Sequence, residues 1–310
     1  MVRVLGLWDE NINPLNLGGF LIFLEELAIQ RFLHKISTSD VLVLKQKDDK
    51  KISGKQQTLT RSLLSLAKSM EGVGHAYEVH SYKEVGRSLP DGPSIIWPEQ
   101  GKSRQKKHTF DKTLYIQKFY HKTKHIPYLL CKPHILAWAN AFIENHVSPR
   151  KPIVVHLKNN QKNRLSNADF ADWFAFMSFA VKKYDVSFIL IGNESIPTKI
   201  AKLPQVYLAR KFGSTLFYDL GLITRAFLFM GMASGPCNMA IFSPVPYLIF
   251  KDPGHHSEEM EKELGDRDYF PFATSYQKLL RVNQSAHMLK TEFEKLYRAL
   301  HKHTLHGIIV

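Results

Sequence analysis

Residues 216–250, LFYDLGLITRAFLFMGMASGPCNMAIFSPVPYLIF, decide the fold. The first apolar run, FLFMGM, ends at Ala233 and passes straight into Ser234, Gly235 and Pro236. Ser followed by Gly and Pro reads as a helix start, with Ser234 as cap and Pro236 in a first turn where its missing N–H costs little. A second apolar run, PYLIF, follows about ten residues later, so the segment reads as strand, short helix, parallel strand. The N–H groups of that helix start then lie at the carboxyl edge of a parallel sheet, where α/β proteins bind anionic ligands, phosphates above all. The same spacing also fits a plain βαβ crossover with no ligand.

The half that contains this segment opens with KPIVVHL, a continuous apolar run of the buried parallel kind. A polar loop, KNNQKNRLSN, leads to helical spacing over 168–184, where Ser166 and Asp169 form a capping-box-like start. VSFILIG and QVYLA add two further strands before the opening segment. The N-terminal half alternates in the same way. A strand at 2–7 is followed by the irregular loop WDENINPLNLGG, a helix at 20–34, the strand DVLVL, a helix at 59–70, and short strands at 76–79 and 94–97. The segment PHILAWANAFIENH, 133–146, is helical and ends before Ser148 and Pro149. Strand and helix alternating through short loops predict an α/β protein of two doubly wound, Rossmann-like halves facing a cleft. The expected domains are 1–148 on the acceptor side, 149–285 on the donor side, and a C-terminal helix within 286–310 that crosses back to the first.

The composition is that of a soluble globular protein, 44% hydrophobic and 23% charged over 310 residues. No apolar run approaches the ~20 residues a bilayer demands, and the acid reached at Asp9 argues against a secretory leader, so a cytoplasmic location is expected. Two cysteines, Cys131 and Cys237, are too few for a disulfide framework or a four-cysteine metal site. The net charge of +14 calls for an anionic partner or a surface explanation. It concentrates in the runs 45–55, 102–107 and 118–124, none of which has the aromatic spacing of a nucleic-acid stacking platform. An acidic small substrate or peripheral contact with an anionic membrane remains. No GxxxxGK[ST], GxGxxG, GxSxG or HExxH pattern occurs, which sets aside P-loop kinase, dehydrogenase, α/β-hydrolase and zinc-protease chemistry.

The order of small-residue strand end, Ser-Gly-Pro turn and short helix resembles the donor-binding half of GT-B glycosyltransferases, heptosyltransferase-like members in particular. Gly231, Ser234, Gly235 and Pro236 occupy the matching places, and Asn238 stands where such proteins often have His or Asn. NodZ-type fucosyltransferases offer a second resemblance: their corresponding strand ends in His-x-Arg-Arg, with an Arg on the donor phosphate. Here the strand ends HLKN, so Lys158 and Asn159 take those positions, and Lys supplies a point charge rather than a planar fork. The resemblance implies a sugar transferase that uses a nucleotide-diphosphate sugar and no further cofactor.

On that footing the donor-binding residues are expected to be Gly18 and Gly19 of the N-terminal half with His156, Lys158, Asn159, the loop residues Arg210, Phe212 and Gly213, and Ser234, Gly235, Pro236 and Asn238. His156 reads equally as a hydrogen-bonded core histidine, and Glu194 as a ribose acceptor or a solvated loop acid. Asp9 and Glu10, after the first strand, are the candidates for the general base that accepts a hydroxyl proton, beside the Gly18-Gly19 turn. Asp266-Arg267-Asp268 spells the metal-binding DxD of the other glycosyltransferase fold, yet follows a charged helical segment and reads as a loop, and the adjacent His255 and His256 do not converge on one ion. No metal site is expected. The expected partners are a nucleotide sugar and a glycan or lipid-linked acceptor. The alternatives are a nucleotide-sugar epimerase on the same fold, or a basic nucleic-acid-binding or non-catalytic protein of GT-B type.

Overall fold

A computed structural model describes residues 3–45, 54–88, 94–99, 108–160 and 164–305. The basic run at 102–107 and most of that at 45–55 lie outside them. The chain divides into two compact units, Met1–Ile135 and Leu136–Val310.

The first unit runs β1 (Arg3–Asp9), α1 (Leu17–His34), β2 (Ser39–Leu44), α2 (Gly54–Ser69), β3 (Val73–Val79), α3 (Tyr82–Ser88), β4 (Ser94–Trp97) and α4 (Leu114–Thr123), and ends within α5 (Pro133–His146). Its sheet has the order β3-β2-β1-β4, and all three pairings are parallel. The side chain of Asn16 caps α1 by accepting from the Gly19 N–H at 2.6 Å. A Cβ on Gly19 would sit 2.8 Å from the Phe110 carbonyl, so that position is held by packing. The basic run at 118–124, whose charge by itself reads as a solvated loop, is instead the C-terminal part of α4, which buries Ile116 and Phe119 and leaves its lysines outside.

The second unit continues with β5 (Lys151–His156), α6 (Phe170–Lys183), β6 (Val186–Leu190), α7 (Thr198–Ala201), β7 (Val206–Leu208), α8 (Leu216–Thr224), β8 (Leu228–Met232), α9 (Cys237–Ile241), β9 (Tyr247–Lys251), α10 (Ser257–Leu264), β10 (Gln277–Arg281) and α11 (Ala286–Leu305). The sheet order is β10-β9-β8-β5-β6-β7, parallel throughout. Counted within the unit this is 3-2-1-4-5-6, the doubly wound dinucleotide-fold order, with its topological switch point between β5 and β8. The α/β fold of two doubly wound, Rossmann-like halves is thus what the chain adopts.

Three boundaries differ from expectation. The units divide inside α5 rather than at 148/149, because Trp138 stacks on Tyr218 at 4.3 Å and His146 packs on Phe212 at 4.4 Å, tying the helix's second half to the second unit. Helix α11 belongs to that unit as well. Its stripe Leu289, Phe293, Leu296 and Tyr297 is consumed against the second core, Phe293 meeting Phe176 of α6 at 5.4 Å. Finally, α6 begins at Phe170, two residues later than expected. Asp169 is itself the cap, its Oδ1 accepting from Ala171 N (2.8 Å) and Asp172 N (3.1 Å), and Ser166 lies in a separate 3-10 turn.

Candidate functional site

The carboxyl edge of the second sheet collects the polar side chains. At the switch point, His156 ends β5 in register with Gly231 of β8. A Cβ at Gly231 would stand 2.5 Å from the His156 carbonyl, so only glycine permits this approach. Just beyond β8, the Ser234 hydroxyl lies 2.9 Å from His156 Nδ1 and 3.4 Å from Cys237 Sγ. Ser234 is therefore not the helix cap. The five-residue α9 starts at Cys237 with no side-chain cap, through i to i+3 bonds from Cys237 N to Ser234 O and Asn238 N to Gly235 O. With so short a helix, little macrodipole is available to an anion.

The other face of His156 meets Glu194, Nε2 to Oε1 at 3.1 Å. Burial acts to push the Glu194 carboxyl up, but the hydrogen bond and charge of His156, with the backbone N–H groups of Glu194 and Asn193, together hold the group below its ordinary range. Glu194 Oε2 is buried without a partner among the described residues. The loop passes through Gly192 at φ +94°, where a Cβ would meet Glu194 Oε2 at 2.3 Å. Glu194 is thus a part of the His156 cluster rather than a solvated loop acid.

Two lysines face this cluster. Burial lowers the Lys158 ammonium, partly restored by Glu194. Lys251, the last residue of β9, is 8% exposed and is lowered by burial and then by the charge of Lys158. Its Nζ stands 3.5 Å from His255 Nδ1. Burial, Lys251, His256 and Lys158 together push His255 down to about 4, against the weaker pull of Asp252. Burial pushes the Cys237 thiol up to about 11, so it stays neutral. Like charges gathered at one buried edge oppose one another, and an anion placed there would relieve both their repulsion and their desolvation.

Beside this edge, a pocket of about 290 Å³ opens at the ends of β6 and β7, lined by Leu190, Ile191, Glu194, Ile196, Leu208 and Arg210 among others. Arg210 is committed to the wall. It donates to Gly192 O (3.3 Å), Ser214 O (2.5 Å) and Asp219 Oδ2 (3.0 Å). Asp219 also accepts from the Ser214 hydroxyl and from Gly192 N. Burial raises its carboxyl despite those donors. Phe212 packs on His146, and Gly213, at φ +81°, ends a 3-10 turn with open space around it; neither lines the pocket. Asn159 is exposed, while Gly235, Pro236 and Asn238 are half-buried around the Ser234 turn.

In the first unit, Asp9 is 6% exposed at the end of β1, next to the β1/β4 switch point. Its Oδ1 accepts from Asn11 N and Nδ2, both at 2.8 Å, and its Oδ2 from the Tyr82 hydroxyl at 2.5 Å. Burial and then Asp9 push the Tyr82 phenol up to about 12, so it remains a donor. Glu10 is an ion-pair partner, 3.3 Å from Lys45 Nζ in a buried setting. Gly18 and Gly19 belong to the Asn16-capped helix start.

Sequence reasoning passed over Asp219 and Lys251. A lone acid in the apolar helix LFYDLGLIT was the available signal for the first, and a lysine closing a buried strand for the second. It also passed over a pair in the first unit, buried Glu26 Oε2 to half-buried His108 Nε2 at 2.7 Å, although an acid inside so apolar a helix as α1 was visible. Asp266 and Asp268 do not meet other ligands. Asp268 lies 3.9 Å from Lys278 Nζ, and among the described residues no three His, Cys, Asp or Glu side chains converge as a metal site. No described helix is long and apolar enough to cross a membrane.

Two parallel Rossmann-like units with polar residues at the second sheet's switch point define a fold of GT-B type. The solved structures it is similar to share that fold. A glycosyl transferase of family 9 from Veillonella parvula matches 96% of this chain over 97% of its own, at TM-score 0.60 and 10% identity. E. coli heptosyltransferase WaaC, solved with ADP, matches 95% over 99% at TM-score 0.52 and 11% identity. E. coli ADP-heptose lps heptosyltransferase II matches 96% over 98% at TM-score 0.53 and 11% identity. No protein-family model and no curated protein matches the sequence.

Proposed function

We propose that the protein is a glycosyltransferase that moves a sugar from a nucleotide-diphosphate sugar to an anionic glycan or lipid-linked acceptor, working at the cytoplasmic face of a membrane. The observation that carries this reading is the convergence of Lys158, Lys251 and the Ser234–His156 pair at the β5/β8 switch point, beside a pocket of nucleoside size. The WaaC structure similar in fold holds ADP, which supports the same ligand class.

In this reading the diphosphate lies against Lys158, Lys251 and the Ser234-Gly235-Pro236 turn with Asn159 and Asn238 at its margin, and the nucleoside enters the pocket that Arg210 and Asp219 hold open. An acceptor oxygen attacks the anomeric carbon, the bond from that carbon to the phosphate oxygen breaks, and the diphosphate leaves with the electron pair. The two ammonium groups stabilise its growing charge, as preorganised cations do where water is sparse. Asp9 takes the hydroxyl proton. Asn11 and Tyr82 fix its carboxylate in one orientation, and Oδ2 retains a lone pair beyond the Tyr82 bond. No metal is assigned a part.

Titration calorimetry of the full-length chain with ADP, GDP, UDP and CDP tests the donor assignment. One of the four should bind, and the matching nucleotide sugar should be turned over in excess EDTA. Absence of binding by all four would reject the transferase reading. Turnover lost on chelation and restored by Mn²⁺ would move the phosphates onto a metal and return Asp266 and Asp268 to the mechanism.

A further inference from the structure

The C-terminal ends of α1 and α4 meet on the surface of the first unit. The Phe32 ring lies 5.7 Å from Phe119 and 4.8 Å from the His125 imidazole. Phe32 and its neighbour Leu33 are nonetheless 49% and 50% exposed. Each helix ends in a lysine held in the left-handed conformation, Lys35 at φ 54° and Lys124 at φ 60°, where glycine is the usual residue. Lys35, Lys122, Lys124 and His125 are all exposed.

No Asp or Glu occurs in residues 27–39 or 112–143. Glu25 and Glu71 act on Arg31, whose guanidinium turns inward to the Ser39 hydroxyl at 2.9 Å and leaves the outer lysines unneutralised by them. The helix dipole accounts for cations at two C-termini. It does not account for a large aromatic and a large aliphatic side chain standing half in water at the same place, nor for two stretches without a single acid.

Adjacent apolar side chains ringed by lysines fit one kind of surface, in which a hydrocarbon boundary lies just beneath a layer of negative charge. We propose that this face docks the protein on an anionic lipid bilayer, with Phe32 and Leu33 entering the headgroup boundary and Lys35, Lys122 and Lys124 meeting lipid phosphates. A nucleic acid fits less well. Leu33 offers no ring for a base, and the Phe32 ring is already engaged by Phe119 and His125. The surface gives a location to the membrane contact in the proposed function. Vesicle binding requires neither donor nor turnover, so the two readings fail separately.

The test is sedimentation of the full-length chain with vesicles of phosphatidylcholine alone and of equal parts phosphatidylcholine and phosphatidylglycerol. Binding is expected to the anionic vesicles only and to weaken as salt is raised. The double variant Lys122→Glu/Lys124→Glu should reduce partitioning by roughly tenfold or more, since each lysine near such a surface contributes about a fivefold factor. Leu33→Ser, a change at an exposed position checked for native circular dichroism, should also weaken binding, and its residual binding should vanish at high salt. Equal binding to both vesicle types, no binding to either, or unchanged binding by the charge-reversed variant would overturn the proposal. So would tight binding of duplex RNA or of an acidic polypeptide at these residues without vesicle binding.

Discussion

The hydroxyl of Ser234 stands 2.9 Å from Nδ1 of His156, a residue 78 positions earlier in the chain. The contact joins the ends of β5 and β8 across the point where the sheet's winding reverses. Gly231 makes it possible by letting the two backbones approach. A residue that reads locally as a helix cap is thereby turned into the partner of a buried imidazole, and the proposed phosphate site takes its shape from that exchange.

Ser234→Ala should cost about 1 to 2 kcal/mol of stability by urea denaturation, the usual effect of removing one partner from a buried polar group. Nucleotide-diphosphate affinity should fall at least tenfold by calorimetry. Wild-type values for both would detach Ser234 from structure and ligand alike.

Lys158→Gln separates binding from folding. The lysine is half-buried, and Lys251 feels its charge as repulsion. Its removal should leave the ligand-free melting temperature unchanged or raised, while diphosphate affinity drops by roughly tenfold or more. A lowered melting temperature with unchanged affinity would make Lys158 a structural residue.

His255 supplies a pH test. In the folded chain it titrates near 4 against an ordinary value of 6.5. Between those values the unfolded chain holds the extra proton, so acid favours unfolding there and the effect levels off below the folded value. Partial exposure moderates its size. The stability difference between His255→Asn and the wild type should therefore shift in favour of the variant as pH falls from 6.5 to about 4, read from denaturation curves at each pH. A constant difference would show that neither burial nor the neighbouring charges shift His255 in the folded chain.

Asp9→Asn should keep donor affinity and slow donor turnover by roughly 10² to 10⁴, the range for a lost general base. Asn preserves the shape, but with its oxygen on Tyr82 its amide nitrogen faces the two Asn11 donors, so a stability loss of roughly 1 to 3 kcal/mol should accompany the kinetic effect. Unchanged turnover would remove Asp9 and direct attention to His108, which Glu26 holds at 2.7 Å.

Much of the architecture was legible because it is written locally. KPIVVH, VSFIL, LFMGM and YLIFK are strands buried on both faces, so each is a continuous apolar run that no helical period mimics. The edge strand β10, QKLLR, was not legible, since one flank is polar and its length is that of a loop. The helix α4 was hidden for a related reason: its lysines dominate the composition, while only Ile116 and Phe119 carry the buried stripe. Among site residues, His156, Lys158 and Ser234 could be picked out as residues at strand ends. That Glu194 would be buried against His156, or that Arg210 would be spent on Asp219, could not.

The sequence by itself determined the α/β alternation, the parallel strands and the placing of a polar turn after the strand at 228–232, because periodicity and turn chemistry act within a few residues of chain. Only the tertiary structure decided the strand order 3-2-1-4-5-6, and with it which strand ends became neighbours. Ser234 lost its capping role to His156, and Lys158 came to share an edge with Lys251, because hydrogen bonds and charge repulsion depend on distance in space. Those distances are set by how separate runs pack into one core.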